Sequence, residues 1–305
     1  MNFLSSTAIT FPGLGIRIDP PQALPITENF SINLYGLIIA IGLMLAIIYG
    51  RKRAKEFGHN FDDMIDGILF IVPLAIVCTR LYYCIFNWDY YGSHPIEILY
   101  IWQGGLAIYG GVIGAAIGIL IYAKWKKVTI GSVLDITSLG FLIGQSIGRW
   151  GNFFNREAFG SETENFLRMG LYKRVTESGD IVASTTMYYY HPTFLYESLW
   201  NATGFLLLHF FSKRRKYDGQ VALLYVAWYG LGRTFIEGLR TDSLYWGDFR
   251  VSQILAAVTC FAAVAALMFF GLFYKPDPAR MQVNRVAAAA KAAETAEEPK
   301  EETAE

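Results

Sequence analysis

The chain has few of the devices that staple small secreted domains or build metal sites. It contains three cysteines and four histidines in 305 residues. Cys78, Cys84 and Cys260 all fall in apolar stretches, which reads as buried packing thiols and excludes a disulfide or metal framework. Net charge is also missing, because 26 Lys and Arg balance 26 Asp and Glu. No global field therefore attracts nucleic acid, and a nucleic-acid partner is not expected. No basic segment precedes the first strongly apolar run, which begins near Ile32, so a cleaved signal peptide is not expected either. No internal repeat is evident, which counts against an inverted-repeat transporter.

What the chain has instead is apolar length. It is 53% hydrophobic and 16% aromatic, with a mean hydropathy of +0.32, too apolar for an ordinary soluble domain. Seven segments are long enough to span a bilayer, which takes roughly 17–25 residues each. They lie near 32–49, 65–86, 104–123, 130–149, 192–211, 219–239 and 252–274. Basic residues cluster after the first, third and fifth, as RKRAK (51–55), KWKK (124–127) and KRRK (213–216). The second connection, Asn87 to Gln103, has no Lys or Arg at all, while the sixth carries Arg240 and Arg250. By the positive-inside rule the expected fold is an all-α integral membrane protein with seven transmembrane helices, N-terminus outside and C-terminus cytoplasmic.

Two regions fall outside the spans. Residues 150–191 are too long for a bare turn and carry a turn signal at Glu177-Ser178-Gly179-Asp180, so a small external cap is expected between spans four and five. Residues 1–274 then form one membrane domain. From Lys275 to Glu305 the chain turns to Ala, Glu and Lys without an apolar stripe, which predicts a cytoplasmic tail that is largely disordered or weakly helical.

Ionisable groups inside apolar spans are costly and usually functional. On the expected topology Arg80, Tyr109, Arg149, His191, Glu197 and Tyr35 all lie toward the outer half. The sixth span adds Tyr229, Arg233, Glu237 and Arg240 at steps of 4, 4 and 3, which places them on one helical face. At about 1.5 Å per residue this stripe is roughly 16 Å long. Arg149, Arg233 and Arg240 stand against few carboxylates, Glu237 and Glu157, and paired arginines suit a phosphodiester headgroup. The plainer reading is a structural ion pair between Arg233 and Glu237. A transporter or flippase for an anionic lipid headgroup would use the same arginines, but it requires polar lining through to the inner face, which these spans scarcely supply. An intramembrane protease needs paired aspartates, a Ser/His pair or zinc ligands at depth, and no such spacing appears.

The run GRWGNFFNREAFG (Gly148–Gly160) resembles the signature of the prolipoprotein diacylglyceryl transferase family, G-R-x-G-N-F-x-N-x-E-x-x-G, at every fixed position. NLYG (33–36), WQGGLAIYGG (102–111), HPTFLYE (191–197) and YGLGRTFIEGLR (229–240) resemble further blocks of that family, in its order. The resemblance implies transfer of the diacylglyceryl group of phosphatidylglycerol to the lipobox cysteine in a prolipoprotein signal peptide. A thioether forms, glycerol phosphate is released, and no cofactor or metal takes part. It implies that Arg149 and Arg233 bind the headgroup and stabilise the leaving group. Asn152 and Asn155 would bond glycerol or phosphate oxygens or else cap a helix end. Glu157 would orient an arginine or salt-bridge within the cap. Glu237 would align Arg233 or Arg240, with general-base work second. Tyr35 and Tyr229 would supply hydroxyls, with Arg240 and His191 beside them. Many relatives carry histidine where this chain has Tyr109, and tyrosine, with an ordinary pKa near 10, is a poor base at neutral pH. Tyr109 would then position the lipid or bond the thiol, leaving deprotonation to water, Glu237 or the substrate phosphate.

Overall fold

The computed structural model describes residues 8–27, 30–177, 180–241, 245–247, 249–274 and 276–297. In chain order the elements are β1 (Ile9–Phe11), β2 (Ile16–Ile18), β3 (Ala23–Thr27), β4 (Phe30–Asn33), α1 (Leu34–Arg53), α2 (Phe61–Phe86), α3 (Trp88–Tyr91), α4 (Ile108–Lys126), α5 (Ile130–Asn155), β5 (Met169–Glu177), β6 (Asp180–Tyr190), α6 (Thr193–Ser212), α7 (Gln220–Glu237), β7 (Tyr245–Trp246), β8 (Phe249–Arg250), α8 (Val251–Leu272) and α9 (Gln282–Glu297). Each of the seven apolar segments is a helix, namely α1, α2, α4, α5, α6, α7 and α8. Among the described residues five helices are long and apolar enough to cross a membrane: α1 with the turn that follows it, α2, α4, α5 and α8. In α6 and α7 the polar residues Glu197, Asn201, Arg233 and Glu237 interrupt the apolar run.

The expected all-α class needs correction, because the chain is mostly helical but contains strands. An antiparallel sheet runs in the order β2-β1-β5-β6, and β3–β4 and β7–β8 are separate two-stranded hairpins. Much of the expected cap is the long β5–β6 hairpin, whose Thr, Val and Tyr residues favour pleated backbone. Residues 178 and 179 of the expected turn lie outside the described residues. Strands β1 to β4 are short pieces ahead of the first span, too brief to show a period in sequence.

The chain divides into two compact units. The first comprises residues 1–49, 138–214 and 223–275. Its core joins the sheet to the helix ends: Ile9 and Phe11 of β1, Met169 and Leu171 of β5 and Tyr190 of β6 pack with Phe153 of α5 and Phe194 of α6. Within this unit α6 and α7 approach closely. Trp200 and Trp228 stack with ring centroids 4.3 Å apart. Each indole N–H donates to the other residue's backbone carbonyl, at 2.9 and 3.0 Å. Each ring covers a glycine four residues along the opposite helix: a Cβ on Gly232 would fall 2.2 Å from the Trp200 ring nitrogen, and one on Gly204 2.3 Å from that of Trp228. Small residues admit such crossings where burial in lipid gives helices no hydrophobic drive to associate.

The second unit comprises residues 50–137, 215–222 and 276–305. Here α2 lies along a stripe of α4 built from Gly110, Gly114 and Gly118, which face Cys78 and Ile71. Lys126 bridges Asp63 and Asp66, each at 2.6 Å. Asp135 accepts the backbone N–H groups of Gly219 and Ala222 at 2.9 and 2.8 Å, satisfying donors at the start of α7. The tail begins as part of this unit, since Gln282 accepts from the Thr129 N–H at 3.1 Å and its own N–H donates to Asp218 at 2.7 Å. Beyond it α9 is an alanine-rich helix, the helical of the two alternatives, disordered or weakly helical, that composition leaves open. Alanine's helix propensity and an anchored first turn favour the helix. Residues 298–305 lie outside the described residues.

Candidate active site

Three helices of the first unit bring ionisable side chains together. Arg149 stands in the last turns of α5, Glu197 in the second turn of α6, and Arg233 and Glu237 end α7, with Arg240 one turn further on. Arg149 Nη2 lies 2.5 Å from Glu197 Oε2. Arg233 Nη1 donates to Glu197 Oε1 at 3.0 Å, and Arg240 Nη1 reaches the same oxygen at 3.4 Å. Arg233 Nη2 is 2.6 Å from Glu237 Oε2, an ion pair without hydrogen-bond alignment, and Arg240 Nε is 3.9 Å from that atom. The i, i+4 pair read from the sequence therefore exists, inside a larger network.

Charge and depth decide what this network can do. Among the described residues, Arg149, Arg233 and Arg240 gather around two carboxylates, Glu197 and Glu237. The Glu197 and Glu237 side chains are 4% and 2% exposed, whereas those of Arg149, Arg233 and Arg240 are 20%, 18% and 11% exposed. The carboxylates thus form the floor and the arginines the more open side. The Arg149 and Arg233 guanidiniums each carry five N–H donors in a planar fork, more than one or two carboxylate contacts use. In a poorly hydrated setting such a surface suits a phosphate or phosphodiester.

The signature run supplies the adjoining loop. After α5 ends, Arg156 and Ala158 both take φ 55°, the left-handed region that non-glycine residues seldom enter. This turn brings Glu157 back onto the helix end, where its Oε1 accepts from Asn152 Nδ2 at 3.0 Å and Asn155 Nδ2 at 3.3 Å. Glu157 is thus bound to the two asparagines rather than to an arginine. Arg156 holds the loop outward through Asp19 at 3.1 Å and the Pro20 carbonyl at 2.8 Å. Thr193 donates to the Ala158 carbonyl, and Gly160 pairs with Arg240 across a short bridge. The Tyr35 ring lies against Gly151, so close that a Cβ there would sit 2.7 Å from it. Tyr229 stacks on Tyr225, centroids 5.8 Å apart, one helical turn before Arg233.

Two further sequence candidates are described by their own surroundings. The His191 ring meets Asn165 Nδ2 at 3.1 Å and the Tyr196 hydroxyl at 3.3 Å. Burial holds its imidazole below the usual histidine range, so it is neutral at pH 7. Tyr109 belongs to the second unit, where its ring is tilted against Tyr82 with centroids 6.4 Å apart. In that unit Arg80 is committed to the carbonyls of Glu97, Ile98, Gly104 and Gly105 ahead of α4, at 2.6–2.9 Å. Among the described residues no group of three or more His, Cys, Asp or Glu is placed to hold a metal ion.

Glu197 is the residue that reasoning from sequence left out of the candidate site. Its signal was present, an acid four residues into an apolar segment. Its role as the shared partner of three arginines depends on how α5, α6 and α7 converge, which spacing along one helix does not reveal.

Comparison with known proteins gives the same assignment. A family model described as prolipoprotein diacylglyceryl transferase matches residues 21–269. A phosphatidylglycerol–prolipoprotein diacylglyceryl transferase of Listeria welshimeri is 38% identical over 264 residues, covering 87% of this chain and 94% of its own. Proteins of the same name from Clostridium novyi and Limosilactobacillus reuteri are 41% and 42% identical, covering 75% and 78% of this chain and 88% and 87% of theirs. With its signature run closing the loop beside a three-arginine network, and a match extending over most of its length, the chain belongs to the prolipoprotein diacylglyceryl transferase family.

Proposed function

We propose that this chain transfers the diacylglyceryl group of phosphatidylglycerol to the lipobox cysteine of prolipoprotein signal peptides. It would work in the bacterial cytoplasmic membrane, with its site toward the outer face. The observation that carries this reading is the network of Arg149, Arg233 and Arg240 around Glu197 and Glu237, whose more open arginine side fits one lipid phosphodiester. All seven long helices act as spans, with the N-terminus outside, the C-terminal tail in the cytoplasm, and the sheet with residues 150–191 as an external cap.

In the reaction the cysteine thiolate attacks the glyceryl carbon that bears the phosphate. The S–C bond forms, the C–O bond breaks, and the phosphate oxygen leaves with the electron pair as glycerol phosphate. A free thiol has a pKa of about 8.5, so the site must favour the thiolate. Arg149 and Arg233 hold the phosphodiester and stabilise the charge that builds on its leaving oxygen, the kind of preorganised electrostatics that dominates many enzymes. Glu197 and Glu237 fix the arginines in place. Glu157 aims the amides of Asn152 and Asn155, while Tyr35 and Tyr229 offer hydroxyls to the glycerol. Tyr109 bonds the thiol or positions the lipid, and the thiol proton passes to the phosphate, to water or to Glu237. His191 serves the cap rather than the chemistry. Nothing in the scheme calls for a metal or an organic cofactor.

The test is transfer by reconstituted protein from phosphatidylglycerol to a lipobox peptide, followed as thioether product by mass. Arg149→Ala and Arg233→Ala should each lower turnover by about 100-fold or more, the size of effect seen when a preorganised donor is lost. Normal turnover in both would remove the phosphate clamp. Tyr109→Phe separates a hydroxyl in the chemistry from mere positioning. Lipid binding without any product would favour a headgroup transporter. Orientation is checked separately: in intact cells an impermeant thiol reagent should label Glu164→Cys in the cap and spare Lys124→Cys in the last turn of α4.

A further inference from the structure

The β3–β4 hairpin has an apolar face and no core of its own to bury it. Leu24 pairs with Ile32 and Pro25 with Ser31, and Phe30 lies two residues before Ile32. Leu24, Phe30 and Ile32 therefore share one face, and Ala23, Pro25, Ser31 and Asn33 share the other. Ile26 occupies the irregularity between Pro25 and Thr27. Phe30 is 59% exposed, and Leu24 and Ile32 are 37% exposed each. A two-stranded sheet bearing such a face is marginal in water, and its open edges invite aggregation. None of the described hairpin residues is charged, so the face offers a soluble protein partner no electrostatic complement.

Chain continuity fixes where this hairpin sits. Asn33 runs directly into Leu34 of α1 with no linker. The Leu34 N–H donates to the Gln22 carbonyl at 3.0 Å, and the Tyr35 N–H donates to the Asn33 side chain at 2.8 Å, so the base of the hairpin and the first turn of α1 are joined. α1 exposes Leu37, Leu43, Met44 and Ile48, the surface of a helix apolar and long enough to cross a membrane. The other side of the base is held to the signature loop, by Gln22 Nε2 on the Asn155 carbonyl at 3.4 Å and by Arg156 on Pro20. A one-sided hairpin based on the first turn of a span, with an apolar face of Leu24, Phe30 and Ile32, lies at the depth where apolar side chains meet acyl chains and peptide groups meet headgroups.

We propose that the β3–β4 hairpin lies in the membrane surface with Leu24, Phe30 and Ile32 inserted among lipid, so that the bilayer itself is its binding partner. The inference rests on α1 being a membrane span and deepens that reading. It makes the N-terminal strands a float that keeps the signature loop level with the headgroups, the depth at which a phosphodiester is found.

The test uses the full chain in nanodiscs of phosphatidylglycerol and phosphatidylcholine, with Cys78, Cys84 and Cys260 replaced by alanine. Single cysteines at Phe30, Ser31, Ile32 and, on α1, Leu43 each carry a nitroxide. Its relaxation is compared under oxygen, which concentrates in lipid, and a water-soluble nickel chelate. The expected pattern has period two: oxygen dominates at Phe30 and Ile32, and nickel dominates at Ser31. Nickel access at all three would put the hairpin in water and overturn the proposal. Protection of Phe30 and Ile32 from both reagents would mean that protein covers the face, and would overturn it equally. Leu43 separates the two readings: oxygen access there keeps α1 in lipid whatever the hairpin does, while nickel access there would remove the span and the proposal together. The four labelled positions are exposed, so the labels leave packing intact, and retained transfer activity of the cysteine-free background verifies that its three alanine replacements are tolerated.

Discussion

With its side chain 4% exposed and three arginines within 3.4 Å, Glu197 sits where a small change has large local consequences. Removing one member of a buried ion pair typically costs about 3–5 kcal/mol, because the remaining charges keep their desolvation penalty without their partner. Glu197→Ala should therefore lower the unfolding temperature in detergent and abolish transfer. Adding Arg149→Ala to it should cost less stability than the two single changes summed, since both act on one contact. Full additivity would mean that the two residues do not depend on each other. At this scale the sequence was informative about Arg149, Arg233, Glu237 and Arg240, because an ionisable group in an apolar run is conspicuous. It was silent about Glu197 as a hub, and it grouped Glu157 with the arginines although the αL turn at Arg156 and Ala158 aims that carboxylate at two asparagines.

Among the elements, the loop after α5 carries the clearest backbone signature. A non-glycine residue in the left-handed region costs roughly 1–2 kcal/mol, while replacing alanine by glycine usually loses about 0.5–1 kcal/mol in chain entropy. At Ala158, with φ 55°, the two terms oppose each other, so Ala158→Gly should be neutral or stabilising by up to about 1 kcal/mol. The same change at Ala202, inside α6, should destabilise by about 1 kcal/mol. A matching loss at both positions, read from unfolding midpoints, would contradict the strain at Ala158. The helices were legible because each is a long apolar run ended by charge. The strands were not: β1 to β4 are three to five residues long, and although β5 and β6 flank the turn signal at 177–180, their register appears only once they pair. Likewise α6 and α7 read as spans by position, yet the polar side chains that make the site dilute their apolar character.

For the whole molecule, the acid side of the stability profile is set in part by His59, in the turn between α1 and α2. It is 5% exposed, and burial holds its imidazole below the usual value near 6.5, against smaller opposing contributions from Ser132, Asp218 and Asp63. Above that value both the folded and unfolded chains hold it neutral, and its charge costs nothing. As pH falls through about 6.5 the unfolded chain takes up the proton first, so stability declines until the folded value is also passed. The unfolding midpoint should thus drop between pH 7.5 and 5.5, and His59→Gln should make that drop shallower without raising the midpoint at pH 8. Equal slopes for both proteins would assign the acid sensitivity elsewhere. No pattern in the sequence foretold this arrangement, because it depends on the second unit gathering a turn, the start of α5 and the start of α7 around one imidazole.

The paired tryptophans between α6 and α7 have a further use. Two indoles stacked at 4.3 Å couple their electronic transitions, and the pair should give a split band in the aromatic circular dichroism of the resting protein. Trp200 lies one turn from Glu197, and Trp228 lies within two turns of Arg233. The molecule thus carries a built-in optical gauge of the gap beneath its arginines, readable without any label. If taking up lipid moves α6 from α7, the splitting will collapse as the lipid is titrated. If the helices stay clasped throughout turnover, it will not change.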